Sequence, residues 1–439
     1  MIKRDLMSKL VIWKNKGRRK PLLLRGVRQC GKTWLLQEFG RLHFQNVAYF
    51  NLERNEPALA VFAADLDPKR ILLELGALGN VSIEPQKTLI ILDEIQQSPR
   101  ALNSLKYFCE EMPEYAIVAA GSLLGVALSR PDGFPVGKVS FLDLFPCTFM
   151  EYLARVNEQL AKYCQELDKI EPISEALARE LEKHFRNYLI IGGMPEAIET
   201  FIENNDMLAV GETQDDILLS YELDFAKHAP NTEIPKLFLL WKAIPLQLAR
   251  ENSKFVYGEV KSGARARDLE DALRWLLDAG LINKVSRIEQ PHIPLAAYED
   301  RRSFKLYMAD TGLLCRKAKM SLSNILLNQD VFGEFKGRLI ENYVQQQLMA
   351  QGHKSLFYWT SGNTAEVDFV ISHENMVSPV EVKSGMNVRS RSLKTYREKY
   401  KPELAIRFSL QNLKQEDGLL NIPLYLIEQC QRFISIQLG

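Results

Sequence analysis

Short, continuous apolar runs alternate with segments of helical periodicity over residues 1–147. The runs that predict strands are Pro21–Leu24, Asn46–Leu52, Thr88–Leu92, Tyr115–Ala120 and Val139–Leu142. Between them, apolar side chains recur at helical spacing, as over 5–16 and 70–79. Continuous apolarity, unlike strict alternation, is typical of strands that are covered on both faces. The pattern therefore predicts an α/β fold built on a parallel sheet.

After residue 147 the pattern of apolar and polar positions changes twice. Residues 148–228 are helical in pattern, with one interruption at 190–195. Two helical segments, 237–250 and 267–278, then precede Gly280 and the apolar run 281–285, which is the element order of a winged helix. The last part adds a predicted helix over 335–349 and a strand–turn–strand over 366–383. These changes indicate several domains rather than one.

The turn after the first predicted strand has the spacing of a phosphate-binding loop. Gly26 is followed after four residues by Gly31-Lys32-Thr33, and the motif lies between an apolar strand and a helical pattern. The glycines let the backbone wrap around phosphates, and the helix N-terminus favours the anion. We expect Lys32 to reach the β- and γ-phosphates and the Thr33 hydroxyl to ligate Mg²⁺. The alternative, an ordinary glycine-containing turn, is disfavoured by the complete motif in this context. The residues predicted to bind nucleotide are Gly26, Val27, Arg28, Gln29, Cys30, Gly31, Lys32, Thr33 and Trp34, together with Ser122.

Polar residues also follow two later strands. Asp93-Glu94 ends the apolar run at Leu92, at the strand end where sheets of this kind place their ligands. We expect Asp93 to hold Mg²⁺ through water, and Glu94 to activate or orient the water that attacks the γ-phosphate. Ser122 follows the next strand and is either a sensor of the γ-phosphate or the N-cap of the following helix.

Length and composition limit the classes of protein to which this chain can belong. At 439 residues it is too long for one hydrophobic core, so we expect two to four domains. Lys and Arg number 56 against 55 Asp and Glu, so any binding to nucleic acid must rest on local patches. The six scattered cysteines, without a C-x-x-C pair, favour a reducing cytoplasm and argue against a zinc or disulfide framework. No window approaches about 18 apolar residues, so we expect neither a signal peptide nor a membrane span.

A second candidate site lies in the strand–turn–strand over 366–383. Glu381 and Lys383 are two residues apart and therefore share a face of one strand, and Asp368 on the preceding strand can join them. Asp368 and Glu381 could hold Mg²⁺ or Mn²⁺, with Lys383 positioning or deprotonating a water for phosphodiester hydrolysis. Glu341, on the preceding helix, is a further candidate ligand or orienting group. The alternatives are a salt-bridged hairpin and a nuclease-like fold without activity.

Several blocks of the chain resemble a group of prokaryotic AAA-type ATPases. They are Gly26–Thr33, Leu92–Gln96, Gly121–Gly125 and Gly192–Pro195, in the order in which that family has them, and Tyr307–Leu313 resembles a further block that we interpret as structural. The resemblance covers nearly the whole chain. It implies an ATPase core, a helical lid, a winged-helix-like segment and a C-terminal domain similar to PD-(D/E)xK nucleases.

The motifs and the resemblance together give a predicted organisation and function. We expect a P-loop ATPase core over 1–147, a helical lid over 148–229, a winged-helix-like segment over 230–297 and an α/β nuclease-like domain over 298–439. The predicted function is an Mg²⁺-dependent, ATP-hydrolysing switch coupled to a DNA-facing, metal-dependent nuclease domain. The alternative keeps the ATP switch and makes the C-terminal half a catalytically inactive module that binds protein or DNA.

The oligomeric state stays open. ATPases of this kind often receive an arginine from a neighbouring molecule at the transition state. Arg130, Arg155, Arg179 and Arg186 are all candidates for that role. Both a homo-oligomer and a different protein partner are compatible with the sequence.

Overall fold

The computed structural model describes residues 1–128, 137–249, 254–320, 333–362, 365–385 and 391–438. The chain divides into two compact units. The P-loop unit contains Lys3–Phe145 and Asp278–Leu281, and the C-terminal unit contains Met1–Ile2, Pro146–Leu277 and Ile282–Gly439. The division after Phe145 lies close to the predicted boundary at 147.

The P-loop unit is a parallel sheet flanked by helices. Its elements are α1 (Leu6–Lys14), β1 (Leu22–Arg25), α2 (Lys32–His43), β2 (Asn46–Asn51), α3 (Glu56–Ala64), α4 (Pro68–Gly79), β3 (Thr88–Asp93), α5 (Pro99–Glu111), β4 (Ala116–Ala120), α6 (Leu124–Leu128) and β5 (Ser140–Asp143). In the described part of this unit the strands form a five-stranded sheet in the order β2-β3-β4-β1-β5. Every neighbouring pair is parallel. The predicted parallel α/β sheet is therefore confirmed.

Burial explains why these strands are continuous apolar runs. All positions of β3 and β4 are buried, because helices cover both faces of the sheet. The sequence analysis missed α3 and α5, although α5 has a clear start signal: Ser98 accepts a hydrogen bond from the Ala101 N–H and Pro99 follows it. The segment 134–136, expected to lead into the fifth strand, lies outside the described residues.

The C-terminal unit begins with helices and continues as a mixed sheet. After residue 146 the helices are α7 (Phe149–Val156), α8 (Glu158–Glu166), α9 (Glu175–Ile191), α10 (Pro195–Asn204), α11 (Met207–His228), α12 (Ile234–Leu248), α13 (Tyr257–Val260) and α14 (Ala266–Asp278). The elements that follow are β6 (Ile282–Ile288), β7 (Glu299–Met308), α15 (Thr311–Lys317), α16 (Gly333–Ala350), β8 (Leu356–Thr360), β9 (Glu366–His373), β10 (Met376–Val382), α17 (Arg391–Tyr400), β11 (Ala405–Ser409), β12 (Lys414–Glu416), β13 (Leu419–Pro423) and α18 (Cys430–Leu438). Among the described residues, the strands form an eight-stranded sheet in the order β12-β13-β11-β10-β9-β8-β6-β7.

The predicted winged-helix-like and nuclease-like segments share this sheet. β6, which follows α14, pairs antiparallel with β7 and parallel with β8. The boundary expected at 297/298 therefore falls between two neighbouring strands of one sheet. The strand–turn–strand predicted over 366–383 is the antiparallel pair β9 and β10, in which His373 lies opposite Met376.

Two blocks that are distant in sequence meet inside the C-terminal unit. Asp310, the N-cap of α15, accepts hydrogen bonds from Gly193 N (2.6 Å) and from Leu313 N (2.9 Å). A Cβ on Gly312 would lie 2.5 Å from the carbonyl oxygen of Ile191, so no larger residue fits there. Gln346 of α16 donates to the Tyr188 hydroxyl on α9 at 3.0 Å. The predicted lid helix α9 is thereby bonded to the same unit as the mixed sheet.

Candidate nucleotide site and C-terminal acidic cluster

The P-loop of this chain joins β1 to α2 through a tightly packed turn. A Cβ on Gly26 would lie 2.3 Å from the carbonyl oxygen of Leu144, so the loop requires glycine at this position. Gly31, which caps α2, has φ 93°, and Gln29 also lies in the left-handed region at φ 64°. The turn therefore has the backbone conformation for which its glycines were predicted.

The predicted nucleotide-binding residues differ in exposure. Arg28 and Gln29 are exposed on the loop, whereas Trp34 is half-buried in the first turn of α2. Val27 is buried, and the fully buried Cys30 directs its Sγ to the carbonyl oxygen of Leu144 at 3.5 Å. The loop thus presents its backbone and its exposed polar side chains, while its apolar residues anchor it to the core.

Lys32 lies inside the curve of the loop. Its Nζ donates hydrogen bonds to the carbonyl oxygens of Gly26 (2.8 Å) and Val27 (2.9 Å). The side chain is largely buried, so its charge is held next to the loop backbone. Binding of phosphates requires the ammonium to exchange these carbonyl partners for phosphate oxygens.

Thr33 and Asp93 meet at the edge of the sheet where β1 and β3 end. The Thr33 hydroxyl donates to Asp93 Oδ2 at 2.7 Å, and the Tyr49 hydroxyl donates to the same oxygen at 2.9 Å. Burial and the negative charge of Asp93 raise the pKa of Tyr49 to about 12, so its phenol stays a donor at neutral pH. A hydroxyl and a carboxylate at this separation are the oxygen ligands that Mg²⁺ prefers, so these residues fit the implied metal.

Glu94 is held by neighbours from two elements. Gln96 Nε2 donates to Glu94 Oε2 at 2.5 Å, and the Ser122 N–H and hydroxyl lie 3.4 Å and 3.3 Å from the same oxygen. A Cβ on Gly121 would lie 2.0 Å from Gln96 Oε1, so the Gln96 side chain fits in this position only because residue 121 is glycine. The structure therefore directs Ser122 toward Glu94, and its role as a γ-phosphate sensor stays a prediction. The sequence analysis gave Gln96 no role, although Gln96 ends the block Leu92–Gln96 that resembles the AAA-type family.

The predicted residues of the second site also come together, in the C-terminal unit. Lys383 Nζ lies 2.6 Å from Glu381 Oε1, and Asp368 Oδ2 accepts a hydrogen bond from Val382 N at 2.7 Å. Burial, and then the charges of Glu341 and Glu381, raise the pKa of Asp368 well above its ordinary value. Glu341, Asp368, Glu381 and Glu366 are called the acidic cluster below.

Two cations that the sequence analysis did not name enter the acidic cluster, a buried one from β7 and a half-buried one from the helix that carries Glu341. Lys305 of β7, whose side chain is 0% exposed, lies 2.6 Å from Glu366 Oε1 and 3.6 Å from Glu341 Oε2. Arg338 of α16 donates to Glu341 Oε1 at 2.5 Å, and the Tyr307 hydroxyl donates to Glu341 Oε2 at 3.1 Å. Burial alone would raise the pKa of Glu341, but Lys305 and Arg338 hold it below its ordinary value.

These contacts bear on whether the cluster fits a metal ion. Within the described residues, no group of three or more His, Cys, Asp or Glu side chains is placed to hold one. The predicted ligands Glu341, Asp368 and Glu381 are bonded instead to Arg338, to a backbone N–H and to Lys383. Lys305 and Arg338 bring positive charge next to Glu341 that the prediction did not include, and the metal role of Glu341, Asp368 and Glu381 stays a prediction.

The arginine candidates for a neighbouring site have local partners. Arg155 donates from Nε to Glu199 Oε1 at 3.1 Å and from Nη2 to Glu199 Oε2 at 2.9 Å. Arg179 lies 3.0 Å from Glu175, and Arg186 pairs with Glu182 on its own helix. Arg130 lies outside the described residues.

Comparison with known families defines the class of the P-loop unit. Residues 18–153 match the family described as AAA domain. The parallel sheet and the loop geometry agree with this match, which supports an AAA-type P-loop fold for residues 18–153. Residues 182–324 and 336–427 match two families described as domains of unknown function, DUF8612 and DUF4143 respectively. No curated protein matches the chain.

Solved structures resemble the chain only distantly. A Walker-type ATPase of Pyrococcus abyssi is 13% identical at a TM-score of 0.47, with 72% of this chain and 96% of that chain covered. Cdc6p of Pyrobaculum aerophilum is 14% identical at a TM-score of 0.27, with coverages of 75% and 96%. The RuvB Holliday junction branch migration motor of Thermotoga maritima is 18% identical at a TM-score of 0.28, with coverages of 64% and 89%.

Proposed function

We propose that this protein is an ATP-binding and ATP-hydrolysing switch of the AAA type. The observation that carries the proposal is the meeting of Lys32, Thr33, Asp93 and Glu94 at the ends of β1 and β3. This edge of a parallel sheet is where nucleotide phosphates bind in P-loop proteins.

Each residue has a separate task in the proposed reaction. Lys32 binds the β- and γ-phosphate oxygens, while Thr33 and Asp93 hold the Mg²⁺ that would neutralise charge on the phosphates. Glu94 orients the attacking water and accepts its proton. Gln96 and Ser122 hold the Glu94 carboxylate in place.

Two substitutions separate binding from hydrolysis. Lys32→Ala should abolish binding of a fluorescent ATP analogue, because the loop loses its only side-chain ammonium, whereas Lys16→Ala on the surface should bind normally. Glu94→Gln should bind ATP, but its rate of ATP hydrolysis should fall at least about a hundredfold. Glu111→Gln, at an exposed position, is the control for this substitution. Tight nucleotide binding by Lys32→Ala would refute the phosphate-binding role of the loop.

For the C-terminal unit we propose a module that binds its partner without a resident metal. The observation that favours this interpretation over a nuclease is Lys305, which lies fully buried beside Glu366 and beside Glu341, one of the predicted metal ligands. A metal ion bound by Glu341 would have to compete with this buried ammonium. In this proposal the unit transmits or receives the nucleotide state of the P-loop unit.

A cleavage assay decides between the module and the nuclease. Plasmid and single-stranded DNA are incubated with the protein and Mg²⁺ or Mn²⁺, with and without ATP. We expect no cleavage by the wild type. Cleavage that disappears in Asp368→Ala would establish the nuclease, and cleavage that also needs ATP would establish its coupling to the switch.

The cellular setting belongs to the same proposal. None of the six cysteines, all of which the structure describes, forms a disulfide, and five of them are buried, which suits a reducing cytoplasm. No helix in the described ranges is long and apolar enough to cross a membrane. In this proposal the C-terminal unit binds the partner of the switch, which is either a second copy of the chain or another macromolecule.

A further inference from the structure

A basic cavity opens between α17 and β11 in the C-terminal unit. Its volume is about 620 Å³. The charged side chains on its wall are Lys394, Arg397, Lys401, Arg407 and Glu398, four cations against one carboxylate. Small-molecule pockets of this size are lined mainly by apolar and aromatic side chains. This wall, in contrast, offers cations, with Leu393, Pro402 and Leu419 as its apolar part.

The cations of the basic cavity are weakly engaged within the protein. Lys394 lies 3.8 Å from Glu398 in an exposed pair, which contributes little to stability. Lys401 is exposed just beyond the end of α17. Arg397 donates one hydrogen bond to the carbonyl oxygen of Asp417. An anion in the cavity would therefore meet positive charge that the fold has not neutralised.

Arg407 links the basic cavity to the acidic cluster. It lies directly opposite Glu381 on the neighbouring parallel strand, so the two side chains are on the same face of the sheet. Arg407 Nε and Glu381 Oε2 are both buried and have no hydrogen-bond partner among the described residues. Of these two atoms only Arg407 Nε is a donor, so it alone could bind an anion oxygen, whereas Glu381 Oε2 is an acceptor and would repel one. Lys383 pairs with the other oxygen of Glu381, which reduces repulsion of an anion at this point.

We propose that the basic cavity binds the phosphates of a nucleic-acid backbone without regard to base sequence. Several separated cations match the repeated charges of a phosphodiester chain. Among the described residues, no aromatic side chain lines the cavity, so this part of the chain offers no platform there for base stacking. This inference rests on the proposed function, because the nucleic acid would be the partner that the proposed C-terminal module binds.

The test measures binding of the full-length protein to a short fluorescein-labelled DNA duplex by anisotropy, in EDTA and without nucleotide. Lys394→Gln/Lys401→Gln removes two cations from the cavity. The matched control is Lys162→Gln/Lys183→Gln, because Lys162 and Lys183 form similar exposed helical pairs with Glu166 and Glu180. Affinity is measured from about 0.05 to 0.2 M salt, the range over which phosphate contacts weaken steeply.

We expect the wild type and the control to bind, and the cavity variant to bind on the order of tenfold more weakly. The slope of log K against log salt should become shallower by about 1.8, since each lost phosphate contact removes about 0.9. Absence of duplex binding by the wild type, or equal losses in the cavity variant and the control, would overturn the proposal. Binding of inorganic pyrophosphate that depends on Lys394 and Lys401, without duplex binding, would also overturn it and assign the cavity to free phosphates.

The P-loop variant separates this proposal from the ATP switch. Lys32→Ala leaves the basic cavity unchanged, so it should bind the duplex as the wild type does. ATP hydrolysis is measured on the same wild-type preparation. Hydrolysis without duplex binding would refute the cavity alone, and duplex binding without hydrolysis would refute the switch alone.

Discussion

Glu94 occupies an unusual backbone position directly after β3. Its φ of 52° lies in the left-handed region, which is uncommon for a residue other than glycine and occurs often at functional sites. The carboxylate is fixed by Gln96 and approached by Ser122. At the scale of single residues, the candidate base therefore depends on neighbours that hold it.

Substitution of Gln96 tests this dependence. Gln96→Ala should lower kcat for ATP hydrolysis roughly tenfold and leave the KM for ATP nearly unchanged, because Gln96 positions Glu94 without contacting the phosphates. Steady-state hydrolysis over a range of ATP concentrations measures both constants. Gln97→Ala is the control, one residue further along the same turn. An unchanged kcat in Gln96→Ala would show that Gln96 does not position the base.

Asp310 gives a pH-dependent contribution to stability. Burial raises its pKa from 3.8 to about 6, although the N–H groups of Gly193 and Leu313 oppose the shift. Because the folded state holds this proton more tightly than the unfolded state, the contribution is full below pH 3.8 and is lost as pH rises to about 6. The size of the loss is about 3 kcal/mol.

Urea unfolding of wild type and Asp310→Asn at several pH values measures this contribution. The stability of the wild type relative to the variant should fall by about 3 kcal/mol as pH rises across that window. Taking the difference between the two proteins removes the contributions of other groups, including Asp368. A difference that is constant with pH would contradict the buried, proton-binding state of Asp310.

At the scale of elements, α15 and the end of α9 are packed closely enough to exclude a methyl group. Cβ on Gly312 would lie 2.5 Å from Ile191 O and 2.6 Å from Gly192 N, both of which are backbone atoms. Backbone atoms cannot rotate away as a side chain can, so the contact leaves little room for relaxation. This junction fixes the helices of the predicted lid against α15.

Gly312→Ala should therefore destabilise the C-terminal unit by about 1–3 kcal/mol or more. Gly337→Ala is a matched control, because a Cβ at Gly337 in α16 meets nothing within 4 Å. The control should gain about 0.5–1 kcal/mol, as expected for alanine in a helix interior. Thermal unfolding followed by circular dichroism measures both, and equal stability of the two variants would contradict the close packing.

At the scale of the whole molecule, the chain forms two compact units, each with its own sheet. The candidate nucleotide site belongs to the P-loop unit, and the acidic cluster and basic cavity belong to the C-terminal unit. A switch requires the nucleotide to bind two states of the protein with different affinity. The change between these two states should therefore be detectable in both the P-loop unit and the C-terminal unit.

Hydrogen exchange of the full-length protein with and without MgATP tests this requirement. Bound nucleotide should slow exchange in peptides that cover the P-loop and the end of β3 in the wild type and have no effect in Lys32→Ala, since ligand binding stabilises only the state it binds. A switch should also change exchange in peptides from the C-terminal unit. A response confined to the P-loop unit would contradict the switch while leaving nucleotide binding intact.

Local sequence was enough to predict the strand–turn–helix of the P-loop and the hairpin of the second site. The P-loop is one continuous strand–turn–helix, so its glycines, lysine and threonine specify the geometry without help from distant residues. The parallel sheet followed from continuous apolar runs. The pair Glu381 and Lys383 followed from the two-residue period of a strand.

The tertiary structure alone decided which distant side chains join those local motifs. Periodicity shows which face of an element is buried, but it does not identify the element that covers it. Lys305 and Arg407 therefore could not be assigned to the acidic cluster and the basic cavity, because only the fold shows that β7 and β11 share one sheet with β9 and β10. Arg338, in contrast, precedes Glu341 by three residues on one predicted helix, a spacing that the sequence alone shows. The sequence by itself determined the strands of the parallel sheet and the phosphate-binding loop, because those depend on neighbours in the chain. Charge balance in the second site depends on contacts across the sheet, and only the folded structure fixes those.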